Sequence, residues 1–269
     1  MENKTKLHIV KIGGNIIDDP LMLEQFLSDF AKLDGAKILV HGGGKMATKT
    51  AEALGLNSTF HNGRRITDLP MLEVAVMVYA GWINKNIVAK LQSFATNAIG
   101  FTGADGNLIR SEKRKNTGID FGFVGDVTAV NVTLLQMLLA NGTVPVFSAI
   151  THDGNGQLLN TNADTIATEI AISCAAIYNV DLLYCFEKNG VLANSEDPDS
   201  VILELTFDNY KELQRQEIIH SGMLPKLENC FRAAASGVQK IVVGNSALLR
   251  NPNQQSTKII RSMEQNQSL

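Results

Sequence analysis

Two apolar runs in this 269-residue chain end in glycine with a lysine close by. The first opens at Leu7 and closes on Lys11-Ile12-Gly13-Gly14; the second, 37–40, leads into His41-Gly42-Gly43-Gly44-Lys45. Glycine lets the backbone approach an anion closely, and N–H groups at the start of a helix act as fixed donors. Lys11 would supply the point charge, so the two turns read together as one phosphate cradle. Neither turn fits G-x-x-x-x-G-K-[ST] or G-x-G-x-x-G, which argues against a Walker P-loop and a dinucleotide fingerprint. The chemistry indicated is the handling of something phosphorylated.

Four further residues extend the set. Arg65, in Asn62-Gly63-Arg64-Arg65, offers a planar fork suited to a carboxylate, although a solvated loop arginine needs no ligand. Asn160-Thr161-Asn162-Ala163-Asp164 stands where a helix should begin, so capping accounts for Asn162 and extends to Asp164. An acidic residue is also what a phosphoryl-transfer site requires to hold its cationic side chains while they neutralise developing charge. Lys226 falls in the first turn of a helix with Pro225 near its start, where it opposes the helix dipole unless an anion is bound. His41 reads as a packed or hydrogen-bonding residue, not a catalyst.

The elements that must position these residues alternate in type. Strands are expected at 7–12, 37–40, 98–101, 143–148, 180–185, 239–243 and 258–261. Helices are expected at 19–33, 45–54, 70–90, 131–141, 163–176, 208–217 and 224–235. That alternation implies parallel βαβ units and an open α/β sandwich with helices on both faces of a mainly parallel sheet. Residues 102–130 carry repeated glycines and the charged tract Arg110–Lys115, the composition of exposed hairpins or a lid. A tight turn at 151–158 suggests a boundary between two lobes, 1–155 and 156–269, the first holding the substrate and the second the nucleotide. The polar tail beyond about Asn251 is expected to end in a short strand and then disorder.

Composition narrows the partners. With 24 basic residues against 27 acidic and a net charge of −3, there is no electrostatic footprint for nucleic acid or an anionic membrane. No apolar run is long enough for a signal peptide or a membrane span, so a cytoplasmic protein acting on small molecules is expected. Cys174, Cys185 and Cys230 are far apart and lack metal-ligand spacing, and read as buried free thiols.

Taken in order, Lys-Ile-Gly-Gly, His-Gly-Gly-Gly, Asn-Gly-x-Arg, Asn-x-Asn-Ala-Asp and Gly-Met-x-x-Lys resemble the N-acetylglutamate kinases of the amino acid kinase family. The likeness runs from about Lys6 to the last strand. It implies an αβα sandwich, a homodimer, and ATP with Mg²⁺ acting on an N-acyl-L-glutamate in the second step of arginine biosynthesis. By the same resemblance Lys11 and Lys226 would stabilise the transferring phosphoryl group and Asp164 would orient both. Gly14, Gly43 and Gly44 would donate backbone N–H groups, with Gly13 beside Gly14 at the phosphates. Arg65 and Asn160 would grip the α-carboxylate, and Glu187 and Gly190 would fall at the ATP site. No residue is assigned to a metal.

Two departures stand out. The family's Asp-Val-x-Gly stretch is replaced by Phe186-Glu187-Lys188-Asn189-Gly190, which bears on nucleotide affinity or base preference. Few residues precede the first strand, so a dimer without arginine feedback is expected. Relatives acting on uridylate, carbamate or free glutamate are disfavoured by the Asn-Gly-x-Arg loop. A non-catalytic amino-acid-binding regulator finds support only in Phe186-Glu187. Acetyl is the default acyl group; a succinyl group would need another cationic partner, for which Arg64 and Lys45 are candidates.

Overall fold

In the central strand Lys6–Ile12, Leu7, Ile9, Val10 and Ile12 are all fully buried, so both faces of this strand are covered. The computed structural model describes residues 4–61, 64–115, 118–194, 196–219, 222–251 and 253–261. Asn62 and Gly63 of the arginine loop and residues 262–269 of the tail therefore lie outside the described residues.

The described strands, in chain order, are β1 (Lys6–Ile12), β2 (Ala36–His41), β3 (Phe60–His61), β4 (Arg64–Arg65), β5 (Ala98–Phe101), β6 (Ile109–Lys113), β7 (Gly125–Val130), β8 (Val144–Phe147), β9 (Ile150–His152), β10 (Leu158–Asn160), β11 (Asn179–Phe186), β12 (Glu204–Leu205), β13 (Lys240–Asn245) and β14 (Thr257–Ile259). The helices are α1 (Gly14–Asp18), α2 (Pro20–Ala31), α3 (Gly44–Ala53), α4 (Leu69–Ala75), α5 (Asn84–Ser93), α6 (Val132–Ala140), α7 (Ala163–Cys174), α8 (Phe207–Arg215) and α9 (Leu224–Ala235).

Eight strands form one sheet in the order β12-β14-β13-β11-β1-β2-β8-β5, with all pairs parallel except β13 with β14. Helix α7 packs on β1, β2 and β11 and against α9, while α2 and α5 pack on each other. The architecture is an αβα sandwich with a mainly parallel central sheet, as the alternation of elements implies. Strand order reverses about β1, with β2 on one side and β11 on the other, and the carboxyl ends flanking such a switch point form a crevice.

Residues 102–130 contain a hairpin, as their composition suggests: β6–β7, which belongs to a second sheet ordered β10-β9-β6-β7. The structure departs from the sequence reading in two places. The turn at 151–158 joins β9 to β10 as an antiparallel hairpin of that same sheet, so strands at Ile150–His152 and Leu158–Asn160 replace a plain turn. The helix expected over 70–90 runs on through Ser93 and contains a π-helical stretch, Val76–Ile83, between α4 and α5. Local periodicity does not reveal a π turn, because its phase shift is set by what the helix packs against.

Candidate active site

Helix caps decide which side chains are free to do chemistry. Asn162 caps α7, its Oδ1 accepting from Asp164 N at 2.7 Å and Thr165 N at 3.3 Å. The cap is thus Asn162 alone, and the Asp164 carboxylate points elsewhere. It meets Lys11 Nζ at 2.8 Å and Lys226 Nζ at 3.1 Å, joining the end of β1 to the first turn of α9. Pro225 sits where α9 has no intrahelical use for an N–H, which fixes the turn that carries Lys226. Lys226 also lies 5.5 Å from the centre of the Tyr184 ring, a cation–π contact.

All three charged groups are largely but not fully buried, with side chains 12–14% exposed. Two ammonium groups against one carboxylate leave an excess positive charge. Burial alone would raise the Asp164 pKa, but Lys11 and Lys226 together hold it well below the usual carboxylate range. Burial pulls Lys11 down from 10.5 despite Asp164, whereas at Lys226 the attraction of Asp164 outweighs burial and the pKa is raised.

Beside this cluster the chain leaves β2 at His41 and enters α3 through Gly42, Gly43 and Gly44. A Cβ at Gly43 would collide with Ile83 and lie 2.9 Å from Tyr79 Cδ1, so the π-helical stretch packs against the loop too closely for any side chain. Gly13 is similarly confined, its would-be Cβ 3.1 Å from the Cys185 carbonyl, while Gly14 faces open space. A cavity of about 230 Å³ is lined by Gly42, Gly43, Gly44, Arg65 and Asn160. Lys11, Asp164 and Lys226 are not among its lining residues, but Ala163 and Thr165, which flank Asp164, and Pro225, which precedes Lys226, are.

Arg65 is buried and heavily engaged. Its Nη1 donates to Ser58 Oγ at 2.7 Å and to Met71 Sδ at 3.6 Å; its Nη2 donates to the Gly44 carbonyl at 2.9 Å and to Thr48 Oγ1 at 2.7 Å. The guanidinium also lies over the Phe60 ring. Asn160 donates to Thr67 Oγ1 at 3.0 Å, and its backbone N–H bonds Phe123 O at 2.9 Å, tying β10 to the segment ahead of β7. The same cavity receives Phe60, Arg64, Tyr79, Arg114, Thr161 and Asn229, which the motifs do not single out. Asn229 could have been found by helical spacing, three residues after Lys226 on α9; Arg114 arrives only through the β6–β7 hairpin, and no local signal marks it.

Glu187 and Gly190 are not brought into this group. Glu187 is exposed one residue past β11 and forms no hydrogen bond or ion pair among the described residues. Gly190 is buried, its would-be Cβ 2.6 Å from Thr257 Oγ1, and with Lys188, Val191, Leu192, Ile218, Ile219 and Met223 it lines a separate small apolar cavity. The three cysteines are buried and free; burial pushes Cys174 and Cys185 up to about 12, which makes them inert as nucleophiles.

Comparison with known proteins agrees with this geometry. The profile described as "Amino acid kinase family" matches residues 6–245. A Cytophaga hutchinsonii protein named acetylglutamate kinase is 53% identical over 88% of this chain and 90% of its own length. A Phocaeicola vulgatus protein of the same name is 53% identical over 89% and 93%. Among solved structures, the Streptococcus mutans protein smu.665 superposes with a TM-score of 0.77 at 25% identity, covering 94% of this chain and 98% of that one. Carbamate kinase from Giardia lamblia bound to AMP-PNP superposes at 0.67 and 13% identity, covering 97% and 100%, a likeness of fold. With ordered motifs, fold and relatives in agreement, the chain belongs to the amino acid kinase family.

Proposed function

We propose that this protein phosphorylates the side-chain carboxylate of an N-acylated L-glutamate, with N-acetyl-L-glutamate as substrate and ATP as donor, in arginine biosynthesis. The observation that carries this reading is the buried Lys11–Asp164–Lys226 cluster set beside the glycine loop, in a chain half identical to proteins named acetylglutamate kinase. A carboxylate oxygen of the substrate attacks the γ-phosphorus, the new O–P bond forms as the bond to ADP breaks, and an acyl phosphate and ADP result. The carboxylate is already a nucleophile, so no general base is needed, and catalysis rests on alignment and charge neutralisation. N-Acylation has a chemical reason: a free amine would attack the acyl phosphate within the same molecule and cyclise.

On this reading Lys11 and Lys226 neutralise the transferring phosphoryl group, Asp164 orients both, and Gly14, Gly43 and Gly44 donate N–H groups. Asn160 and Arg65 serve the α-carboxylate end. Four of the five N–H groups of Arg65 are spent on the protein, so it contributes charge and a shaped wall. Magnesium would arrive with the nucleotide phosphates: among the described residues no group of three or more acidic, histidine or cysteine side chains could hold it, and both Asp164 oxygens face lysines. Residues 156–269 would carry the nucleotide, Glu187 and Gly190 included, and residues 1–155 the acylglutamate and the contacts of a homodimer. Exposed Met77 and Trp82 on the π-helical stretch support the dimer assignment. No helix among the described residues is long and apolar enough to cross a membrane.

A specific observation favours a second acyl group. Arg64 and Arg114 line the substrate cavity beside Arg65, and both also line a further cavity of about 420 Å³. Arg114 is paired with Asp126, while Arg64 is exposed and has no partner among the described residues. A dicarboxylic acyl chain such as succinyl would find a cation there. The test is ATP turnover with hydroxylamine trapping of the acyl phosphate, run in parallel on N-acetyl-L-glutamate, N-succinyl-L-glutamate and free L-glutamate. Trapped product from N-acetyl-L-glutamate is expected. A preference for the succinyl substrate that Arg64→Ala abolishes would establish the second reading, and turnover with free glutamate alone would overturn both.

A further inference from the structure

A polar relay, exposed at Lys85 and buried at Asn84 and His41, runs from the sheet edge to the glycine loop. Lys85 Nζ donates to the Gly100 carbonyl at 3.2 Å and to Asn84 Oδ1 at 3.1 Å. Asn84 Nδ2 faces the Val146 carbonyl at 3.0 Å and His41 Nε2 at 3.0 Å, and His41 Nδ1 lies 2.8 Å from the Gly42 carbonyl. His41 and Asn84 are both buried, and a Cβ at Gly100 would collide with the Asn84 amide, so β5 leaves room for it.

The direction of every bond in this chain is fixed by its ends. A lysine only donates and a carbonyl only accepts. The Asn84 oxygen therefore faces Lys85, and its nitrogen donates to Val146 and to His41. His41 Nε2 must accept and Nδ1 must carry the proton that Gly42 receives. Burial lowers the His41 pKa to about 4, consistent with a neutral ring throughout the working range.

A trans peptide points its C=O and N–H in opposite directions, and among the described residues there are no cis bonds. Holding the Gly42 carbonyl on His41 thus turns the Gly43 N–H away from it. The next two carbonyls are held as well: Gly43 O accepts from Ala47 N at 3.0 Å and Gly44 O from Arg65 Nη2 at 2.9 Å. The N–H groups of Gly43 and Gly44 have no partner among the described residues.

We propose that His41, locked in its Nδ1–H form by Asn84 and Lys85, is a positioning residue for the reaction: it aims the Gly43 N–H at the bound acylglutamate by clamping the Gly42 carbonyl. This rests on the reading that the glycine loop holds the acylglutamate.

The intact protein labelled with ¹⁵N-histidine reports the tautomer directly by long-range ¹H–¹⁵N correlation, His41 being assigned by loss of its signals in His41→Asn. A ring protonated at Nδ1 and bare at Nε2, unchanged between about pH 6 and 8, is expected. An Nε2–H or charged ring would overturn the proposal. Kinetics supply the second test, because an asparagine amide nitrogen takes the place of Nδ1 and a glutamine amide nitrogen that of Nε2. His41→Asn is expected to keep kcat/KM for acylglutamate within about three-fold of the parent, and His41→Gln to lower it roughly thirty-fold, the KM for ATP unchanged in both. Equal losses in the two variants, or none in either, would overturn it. Absence of acylglutamate turnover in the parent protein would instead count against the proposed function and leave the tautomer measurement standing.

Discussion

Asp164 carries the heaviest electrostatic duty of any residue in the site, since it faces two buried ammonium groups. Asp164→Asn keeps the shape and removes the charge, which leaves Lys11 and Lys226 buried against each other. We expect a stability loss of about 3–5 kcal/mol by urea denaturation and a fall in kcat of about 10²–10³-fold. The sign of the pH effect follows from the depressed Asp164 pKa. Its contribution to stability is fully present above the unfolded value of about 4 and is lost as pH falls through the lower folded value. Urea midpoints of the parent protein should therefore show no Asp164 contribution to pH dependence near neutrality, only in strong acid. Lys11 behaves oppositely. Its pKa lies below 10.5, so kcat/KM for acylglutamate should fall as pH rises through the Lys11 value, and Lys11→Arg should remove that alkaline limb even where it slows the reaction. An unchanged limb in Lys11→Arg would assign it to another group.

The glycine loop owes its shape to an element distant in sequence. The π-helical stretch Val76–Ile83 brings Tyr79 and Ile83 against Gly43, so the phase of one long helix decides how much room the glycine loop has. Gly43→Ala forces the helix or the loop to yield. We expect a loss of about 1–3 kcal/mol, read as a lower melting temperature, together with a rise in KM for acylglutamate. Gly44→Ala, with nothing within 4 Å of its would-be Cβ, is the matched control for stability. The β6–β7 hairpin plays a comparable part from the other side. It carries Arg114, held by Asp126 and lying against Phe121, to the rim of the cavity that Asn160 and Arg65 also line.

At the scale of the molecule, a single sheet runs through both halves of the chain, with β1, β2, β8 and β5 from the first and β11, β12, β13 and β14 from the second. The Lys11–Asp164–Lys226 cluster draws on both halves, so separating them at the 151–158 turn would dismantle it. Trp82 is the sole tryptophan and is 65% exposed in one copy of the chain. If a homodimer buries it, dilution through the dissociation range should shift its emission to the red, and Trp82→Lys should yield a monomer by light scattering. A concentration-independent emission maximum with a monomeric mass in the parent protein would remove the dimer from the proposal.

Much of this protein was legible in its residues. Strongly apolar runs such as those of β1 and β11 can only be interior strands, and the capping and proline signals mark the starts of α7 and α9 closely. The ordered motifs single out Lys11, Asp164 and Lys226, which the fold joins in one cluster, and Gly43, Gly44, Arg65 and Asn160, which line one cavity. What lay beyond the sequence concerns contacts between segments far apart. Capping and catalysis compete for Asp164 until the fold shows that Asn162 alone does the capping. Arg65 looks like a free fork until packing engages four of its N–H groups. Gly190 looks like a nucleotide glycine, and only the fold adds that Thr257 packs too close to it for any side chain. The π turn, the Arg114 approach and the Lys85–Asn84–His41 relay have no local signature at all. A periodic pattern records which face of an element is buried, but only the assembled sheet and helices decide which buried polar groups meet, and so which way each donor points.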